Sequence, residues 1–306
     1  MVFTMATSLP AHLKRLEDEA IHVMREVVAE CEKPVLLFSI GKDSACMLHV
    51  ARKAFRPGKL PFPLMHVDTT FKFPEMYAYR DRLAAELGAE LIVYKNEEAF
   101  EKFGTDMKDW TCSQCAEHLK TRALVQALKL HGFDAAFGGA RRDEERSRAK
   151  ERVLSFRDRN QVWDPKNQRP ELWRLFNTAH NPGESFRVFP LSDWTELNIW
   201  QYIELENVEL VDLYFARKRP VVSRGGMWVQ THDLVKPAPG EVVEERCVRY
   251  RSIGCQMCTG CVESDAATIK EVVLEVAAAR KSERNTRAVD KDRDGSMEDK
   301  KREGYF

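Results

Sequence analysis

Ser39, Ile40, Gly41, Lys42, Asp43 and Ser44 follow the apolar run PVLLF without a break. A strand, a short Gly/Ser turn and a helix leave backbone N–H groups pointing outward at the helix start, an arrangement that holds oxyanions. The hydroxyls of Ser39 and Ser44 add donors, and Lys42 adds positive charge. Asp43 fits either a hard cation or the favourable end of the helix dipole. The Walker phosphate pattern is absent, because no glycine stands five residues before Gly41 and Asp43 follows Lys42. A β-branched residue is strained at positive φ, so Ile40 is expected in an ordinary conformation and Gly41 in any special one. Read alone, the six residues fit a ligand-free turn as well as an anion site.

A second cluster lies in GGARRDEERSRAKER, residues 138–152. Gly138 and Gly139 let backbone come close to a ligand, and a guanidinium fork suits tetrahedral oxyanions. Arg141 and Arg142 are expected to contact such a group, with Arg148, Lys150 and Arg157 as helpers. The competing reading is a solvated helix whose bases pair with Asp143, Glu144, Glu145 and Glu151, and for Arg146 and Arg152 it is preferred.

The cysteines form a third pattern. Cys112 and Cys115 are two residues apart, and so are Cys255, Cys258 and Cys261 in GCQMCTGC. Such spacings suit a tetrahedral thiolate site for zinc, or an iron–sulfur cluster. The expected ligands are Cys112, Cys115, Cys258 and Cys261, with Cys255 as fifth candidate. A redox-sensitive disulfide and plain reduced thiols are the alternatives. Cys31, Cys46 and Cys247 read as packing residues.

Elements must bring these groups together. Apolar runs at 34–39, 62–68, 89–95, 133–139 and 186–191 read as strands, and helical patterns at 9–31, 43–55, 74–87 and 117–131 fall among them. Alternating strands and helices give a mostly parallel, doubly wound α/β sheet with both faces covered. Ligands of such sheets bind outside the carboxyl ends of the strands, where the polar clusters after the first, second and fourth strands fall. This unit is expected to span 1–205. A C-terminal appendage at 206–306 carries irregular or β structure at 217–254, a helix near 266–280 and a charged tail ending in Tyr305 and Phe306. Trp194, Ile199, Trp200 and Ile203 read as core, Thr195 as the start of a helix and His66 as a packing residue.

The 306 residues carry 48 basic and 48 acidic side chains, so net charge is zero and a whole-surface nucleic-acid binder is disfavoured. No signal peptide or membrane span is evident, so a cytoplasmic location is expected.

The strings SIGKDS, LMHVDTTFKFPEM, FDAAFGGARRDEERSRAKERVLSFRD, WDPKNQRPELW, RVFPLSDWTELNIWQYIE, LYFARKRPVV and GSMEDKKREGYF together resemble one family closely. It is that of the small, catalytic subunits of bacterial heterodimeric sulfate adenylyltransferase, within the N-type ATP pyrophosphatase (PP-loop) superfamily. The resemblance implies that the Ser39–Ser44 turn grips ATP phosphates while a sulfate oxygen attacks the α-phosphorus. It implies Mg²⁺, a GTPase large subunit as partner and a possible higher oligomer. Lys42, Arg141 and Arg142 become the expected catalytic groups, working by positioning and charge neutralisation. Asp68 becomes a candidate for ribose or magnesium, against a plain role in capping its own turn. The charged tail is a candidate for docking on the partner or closing over the site, against a solubilising role. Many members lack most of these thiols, so the reaction is not expected to depend on them. The nearest rivals are adenylylsulfate reductases, which need a late nucleophilic cysteine where the last here is Cys261, and tRNA thiolases. A regulator that has lost the site is the nonenzymatic alternative, against which the intact SIGKDS and GGARRDE strings argue.

Overall fold

The computed structural model describes residues 9–144 and 146–279. The helix α1 (Ala11–Glu30) turns Leu13, Ala20, Met24 and Val27 inward. It leads to β1 (Pro34–Leu37), whose four side chains are all buried. There follow α2 (Lys42–Ala54), β2 (Leu64–Val67), α3 (Pro74–Leu87), β3 (Leu91–Tyr94) and α4 (Glu97–Phe103). Proline at its first turn starts α3, and Gly88 at φ +55° ends it.

The segment expected to be one helix over 117–131 starts earlier, at Cys112, and the whole stretch is built from three pieces. These are a single turn, α5 (Cys112–Gln114), a π-helical stretch Cys115–Arg122, and α6 (Ala123–His131). A π-helix this long is rare, and π turns gather at functional sites because the extra residue re-aims side chains. Then come β4 (Ala135–Phe137), α7 (Arg146–Ala149), β5 (Leu154–Arg157), β6 (Ser185–Val188) and α8 (Glu196–Leu205). Thr195 and Asn198 form a reciprocal capping box at the start of α8.

The first sheet runs β3-β2-β1-β4-β6-β5. All its pairings are parallel except that of β5 with β6. The parallel strands match the expected five, whereas β5 is an additional strand. Its sequence, LSFR, closes a run whose dense charge hid a four-residue strand that is buried throughout. The order reverses direction between β1 and β4, so a crevice opens at their carboxyl ends.

The second sheet is antiparallel and orders β10 (Val262–Glu263), β9 (Glu244–Arg249), β7 (Arg217–Arg224) and β8 (Met227–Gln230). The helix α9 (Ile269–Ala278) closes the described chain. Val221, Val248, Tyr250 and Val272 belong to the same buried cluster as Leu36, Phe38 and Trp200, so the second sheet packs on the first. No described helix is long and apolar enough to cross a membrane. The charged tail, the candidate for docking or closure, lies outside the described residues.

Candidate functional site

A cavity of about 240 Å³ opens at the reversal between β1 and β4. Ser39, Asp43 and Ser44 form one side of it, and Gly138 and Gly139 another. Leu37, Met65, Val67 and Leu124 give it an apolar part, while Lys72, Lys120 and Arg148 give it positive charge. A flat aromatic base fits the first surface and oxyanions fit the second.

The turn after β1 departs from expectation. Ile40 has φ +69°, while Gly41 is extended at φ −74°. Left-handed backbone at a β-branched residue costs on the order of 1–3 kcal/mol. Ile40 is 1% exposed within the main core, and burying an isoleucine side chain contributes about 1.5–3 kcal/mol. The core therefore holds the strained residue in place. A Cβ at Gly41 would stand 3.4 Å from Ser39 Oγ and 3.6 Å from the Tyr214 hydroxyl, ordinary contact distances, so neither sterics nor backbone conformation demands glycine there.

Hydrogen bonds fix the turn. Ser44 Oγ donates to the Gly41 carbonyl at 2.9 Å and lies 3.2 Å from Ser39 Oγ. The Lys42 amide donates to the Tyr214 hydroxyl at 2.7 Å, so a residue far along the chain anchors the loop. Lys42 is buried, and its Nζ donates to Asp43 Oδ2 at 2.9 Å. Arg141, also buried, donates from Nε to Asp43 Oδ1 at 2.8 Å and from Nη1 to Asp143 at 2.6 Å. Burial alone would raise the Asp43 pKa, but the two adjacent cations outweigh it and hold the carboxyl well below its ordinary value.

The expected residues thus divide. Ser39, Asp43, Ser44, Gly138, Gly139 and Arg148 line the cavity. Lys42 and Arg141 stand behind its wall, both bound to Asp43. Arg142 turns to Asp193 and the Glu151 carbonyl, and Lys150 is exposed outside the lining. Arg157 is fully buried against Glu151 at 2.9 Å, and this pairing takes it away from the cavity. Asp68 caps its own turn, accepting from the Thr70 amide and the Tyr77 hydroxyl, each at 2.8 Å.

Lys72 and Lys120 escape the sequence reading. The signal for Lys72 is its place in DTTFKFP, just past the second strand; Lys120 follows only from the π turn. His66, the expected packing residue, supports Lys72. With Nδ1 donating to the Phe38 carbonyl at 2.8 Å, His66 presents Nε2 as acceptor to Lys72 Nζ at 3.0 Å. Burial, reinforced by the Lys72 charge, drives the His66 pKa well down, so the ring is neutral. Burial also pushes Lys72 down to about 8.

The cysteines converge, but with a different membership from the expected set. Cys112 Sγ lies 2.8 Å from Cys258 Sγ, and Cys115 Sγ lies 3.6 Å from Cys255 Sγ. Cys261 is elsewhere, donating to the Trp228 carbonyl at 3.3 Å because it leads into β10 on the second sheet. Cys255 takes its place. Among the described residues, no group of three or more His, Cys, Asp and Glu side chains is arranged to hold a metal ion.

The family model for the phosphoadenosine phosphosulfate reductase domain matches residues 33–261. The chain is 58% identical over 296 residues to sulfate adenylyltransferase subunit 2 of Vibrio parahaemolyticus, covering 96% of this chain and 98% of that one. It is 59% identical to the protein of that name from Saccharophagus degradans, with coverage of 96% and 97%. Among solved structures, a phosphoadenylyl-sulfate reductase from Candida auris in complex with phosphate aligns at TM-score 0.45 and 19% identity, over 68% of this chain and 92% of that one.

Proposed function

This chain belongs to the sulfate adenylyltransferase subunit 2 family, and from that premise we propose that it transfers the adenylyl group of ATP to sulfate, releasing diphosphate. The reading rests on one observation, the cavity at the β1/β4 reversal that joins an apolar slot to a hydroxyl- and glycine-lined turn and three cations.

In this reading the base lies against Leu37, Met65, Val67 and Leu124, and the β- and γ-phosphates sit on the Ser39–Ser44 turn. A sulfate oxygen forms the new bond to the α-phosphorus while the bond from that phosphorus to the bridging oxygen of diphosphate breaks. Sulfate is already a dianion at neutral pH, so no residue has to remove a proton. What the chain must supply is alignment of two mutually repelling anions and charge to offset them. Among the described residues, Lys72, Lys120 and Arg148 are the cations that face the cavity, and in this reading Lys72 and Lys120 take sulfate. Lys42 and Arg141 act as positioning residues through Asp43. Asp43 and Glu144, the carboxylates that line the cavity, are oxygen donors of the kind magnesium takes alongside phosphate oxygens. Magnesium bound there would neutralise charge on the departing diphosphate.

A phosphate–sulfate anhydride hydrolyses more favourably than the ATP bond it replaces, so the reaction runs uphill. Either removal of the products or a second energy source must drive it, and a GTP-hydrolysing large subunit is the second source in this proposal. The test mixes the chain with that subunit, ATP, GTP, Mg²⁺ and sulfate, and follows diphosphate release. Release that depends on sulfate supports the assignment. Release that requires tRNA, or sulfite formed from adenylylsulfate and thiols, overturns it.

A further inference from the structure

Two cysteine pairs, whose members stand more than a hundred residues apart in sequence, meet in an apolar cluster with Phe71, Phe100 and Trp110. Their neighbours belong to the walls of the nucleotide cavity. Cys255 lines the cavity itself, and Thr69 Oγ1 lies 3.2 Å from its sulfur. The Gln256 amide donates to the Phe71 carbonyl at 2.8 Å. The Gln256 side chain donates to the Lys72 carbonyl, also at 2.8 Å. Residues 255–258 are thereby stitched to the segment 69–72 that carries Lys72. Cys112 opens the helical stretch whose later residues Lys120 and Leu124 line another wall.

We propose that Cys112 and Cys258 are a peroxide-oxidisable dithiol whose disulfide fastens these two walls to each other. Their sulfurs stand 2.8 Å apart, closer than two non-bonded sulfur atoms prefer, whereas those of Cys115 and Cys255 stand 3.6 Å apart. Exposure sets the order of events. Cys112 is half-buried while Cys115, Cys255 and Cys258 are buried, so a small hydroperoxide reaches Cys112 first. Its thiolate attacks one peroxide oxygen, the O–O bond breaks, and a sulfenic acid and water form. Cys258 then attacks that sulfur, the S–O bond breaks, and a second water leaves as the S–S bond closes. The two thiols lose two electrons, and hydrogen peroxide takes them. Walls joined across the cavity no longer part freely, so a bound nucleotide is held longer. This last consequence rests on the nucleotide reading of the cavity, whereas the crosslink does not.

The experiment uses the full chain, purified without oxygen and treated with a small excess of hydrogen peroxide. Free thiols are alkylated, and the digest is mapped by mass spectrometry. A Cys112–Cys258 peptide is expected in the wild type and in Cys261→Ser, and its loss in Cys112→Ser. ATP release from the oxidised protein is expected to slow several-fold and to recover on reduction. Both thiols remaining open to alkylation would overturn the proposal, as would one equivalent of zinc or iron held by the untreated protein. A crosslink that leaves ATP release unchanged would also overturn it. Failure of the reduced protein to bind ATP at all would instead strike the functional reading, and the peptide map would still decide the crosslink.

Discussion

Arg141 donates from Nε to Asp43 Oδ1 at 2.8 Å, which joins the exit of β4 to the first turn of α2. Lys42 holds the other oxygen at 2.9 Å, so one carboxylate organises both sides of the crevice. Arg141→Ala leaves Asp43 with Lys42 alone and strips Asp143 of its guanidinium, so the loss of these charge-assisted hydrogen bonds is expected to lower stability by about 1.5–3 kcal/mol. The shift in urea midpoint measures this. Asp43→Asn removes the carboxylate that Lys42 and Arg141 share and adds a pH signature. The Asp43 pKa is depressed, so its contribution is complete above the ordinary value of 3.8 and is lost only as pH falls below it. The stability gap between wild type and Asp43→Asn is therefore constant from neutral pH down to about 4 and narrows in stronger acid.

Lys72 titrates where assays can follow it. Its ammonium is present below pH about 8 and lost above. If it holds sulfate, the KM for sulfate rises above that pH while the KM for ATP changes little. Lys72→Ala is expected to raise the sulfate KM by roughly tenfold or more, the loss of one charge-assisted hydrogen bond. Lys72→Arg should recover part of it and flatten the alkaline limb. Stability moves the other way. Burying this cation is costly while it is charged, and the cost is relieved as pH rises from about 8 towards 10.5. Any stability gained by Lys72→Met is thus present below pH about 8 and fades in alkali. An unchanged sulfate KM in Lys72→Ala would remove Lys72 from the site.

Gly139 leaves little room for a side chain. A Cβ there would stand 3.1 Å from Asp43 Cβ, 3.2 Å from the Asp43 carbonyl carbon and 3.3 Å from the Ser44 amide nitrogen. Gly139→Ala must therefore push β4 away from α2 and is expected to cost about 1–3 kcal/mol. Because the same movement widens the crevice, the KM for ATP should rise. Equilibrium unfolding and initial rates at varied ATP check both parts.

Ile40 offers a test of strain. Deleting a buried isoleucine side chain costs about 2–5 kcal/mol, but glycine relieves the left-handed backbone. Ile40→Gly is therefore expected to fall at or below the low end of that range. Ile203→Ala, at a fully buried position in α8, should fall higher. Thermal unfolding of the two variants compares them directly.

Much of this architecture is legible because the parallel strands are short apolar runs separated by helices, and burial on both faces leaves that mark. Thr195 announces a helix start by its capping chemistry, and Trp194 and Trp200 announce a core. The strand β5 is hidden because LSFR adjoins a dense run of charge. Ile40 misleads because local preference says nothing of the core that fixes its side chain. Arg141 stands out in the sequence, but its charge is directed at Asp43 rather than into the cavity. Cys255 displaces Cys261 for a similar reason: equal spacing in sequence does not tell which cysteine continues into a strand. Lys120 owes its position to a π turn, which residue preferences do not announce.

The anchor of the Ser39–Ser44 turn is made long after the turn itself. A chain still on the ribosome can pair its first strands long before residue 214 is made, and until then the Lys42 amide has no tyrosine to receive it. Fragments ending before that point should carry the whole Ser39–Ser44 string and still lack the hydrogen bond that fixes its turn. If the cavity binds nucleotide, newly made protein would then gain nucleotide protection against proteases only once Tyr214 has emerged.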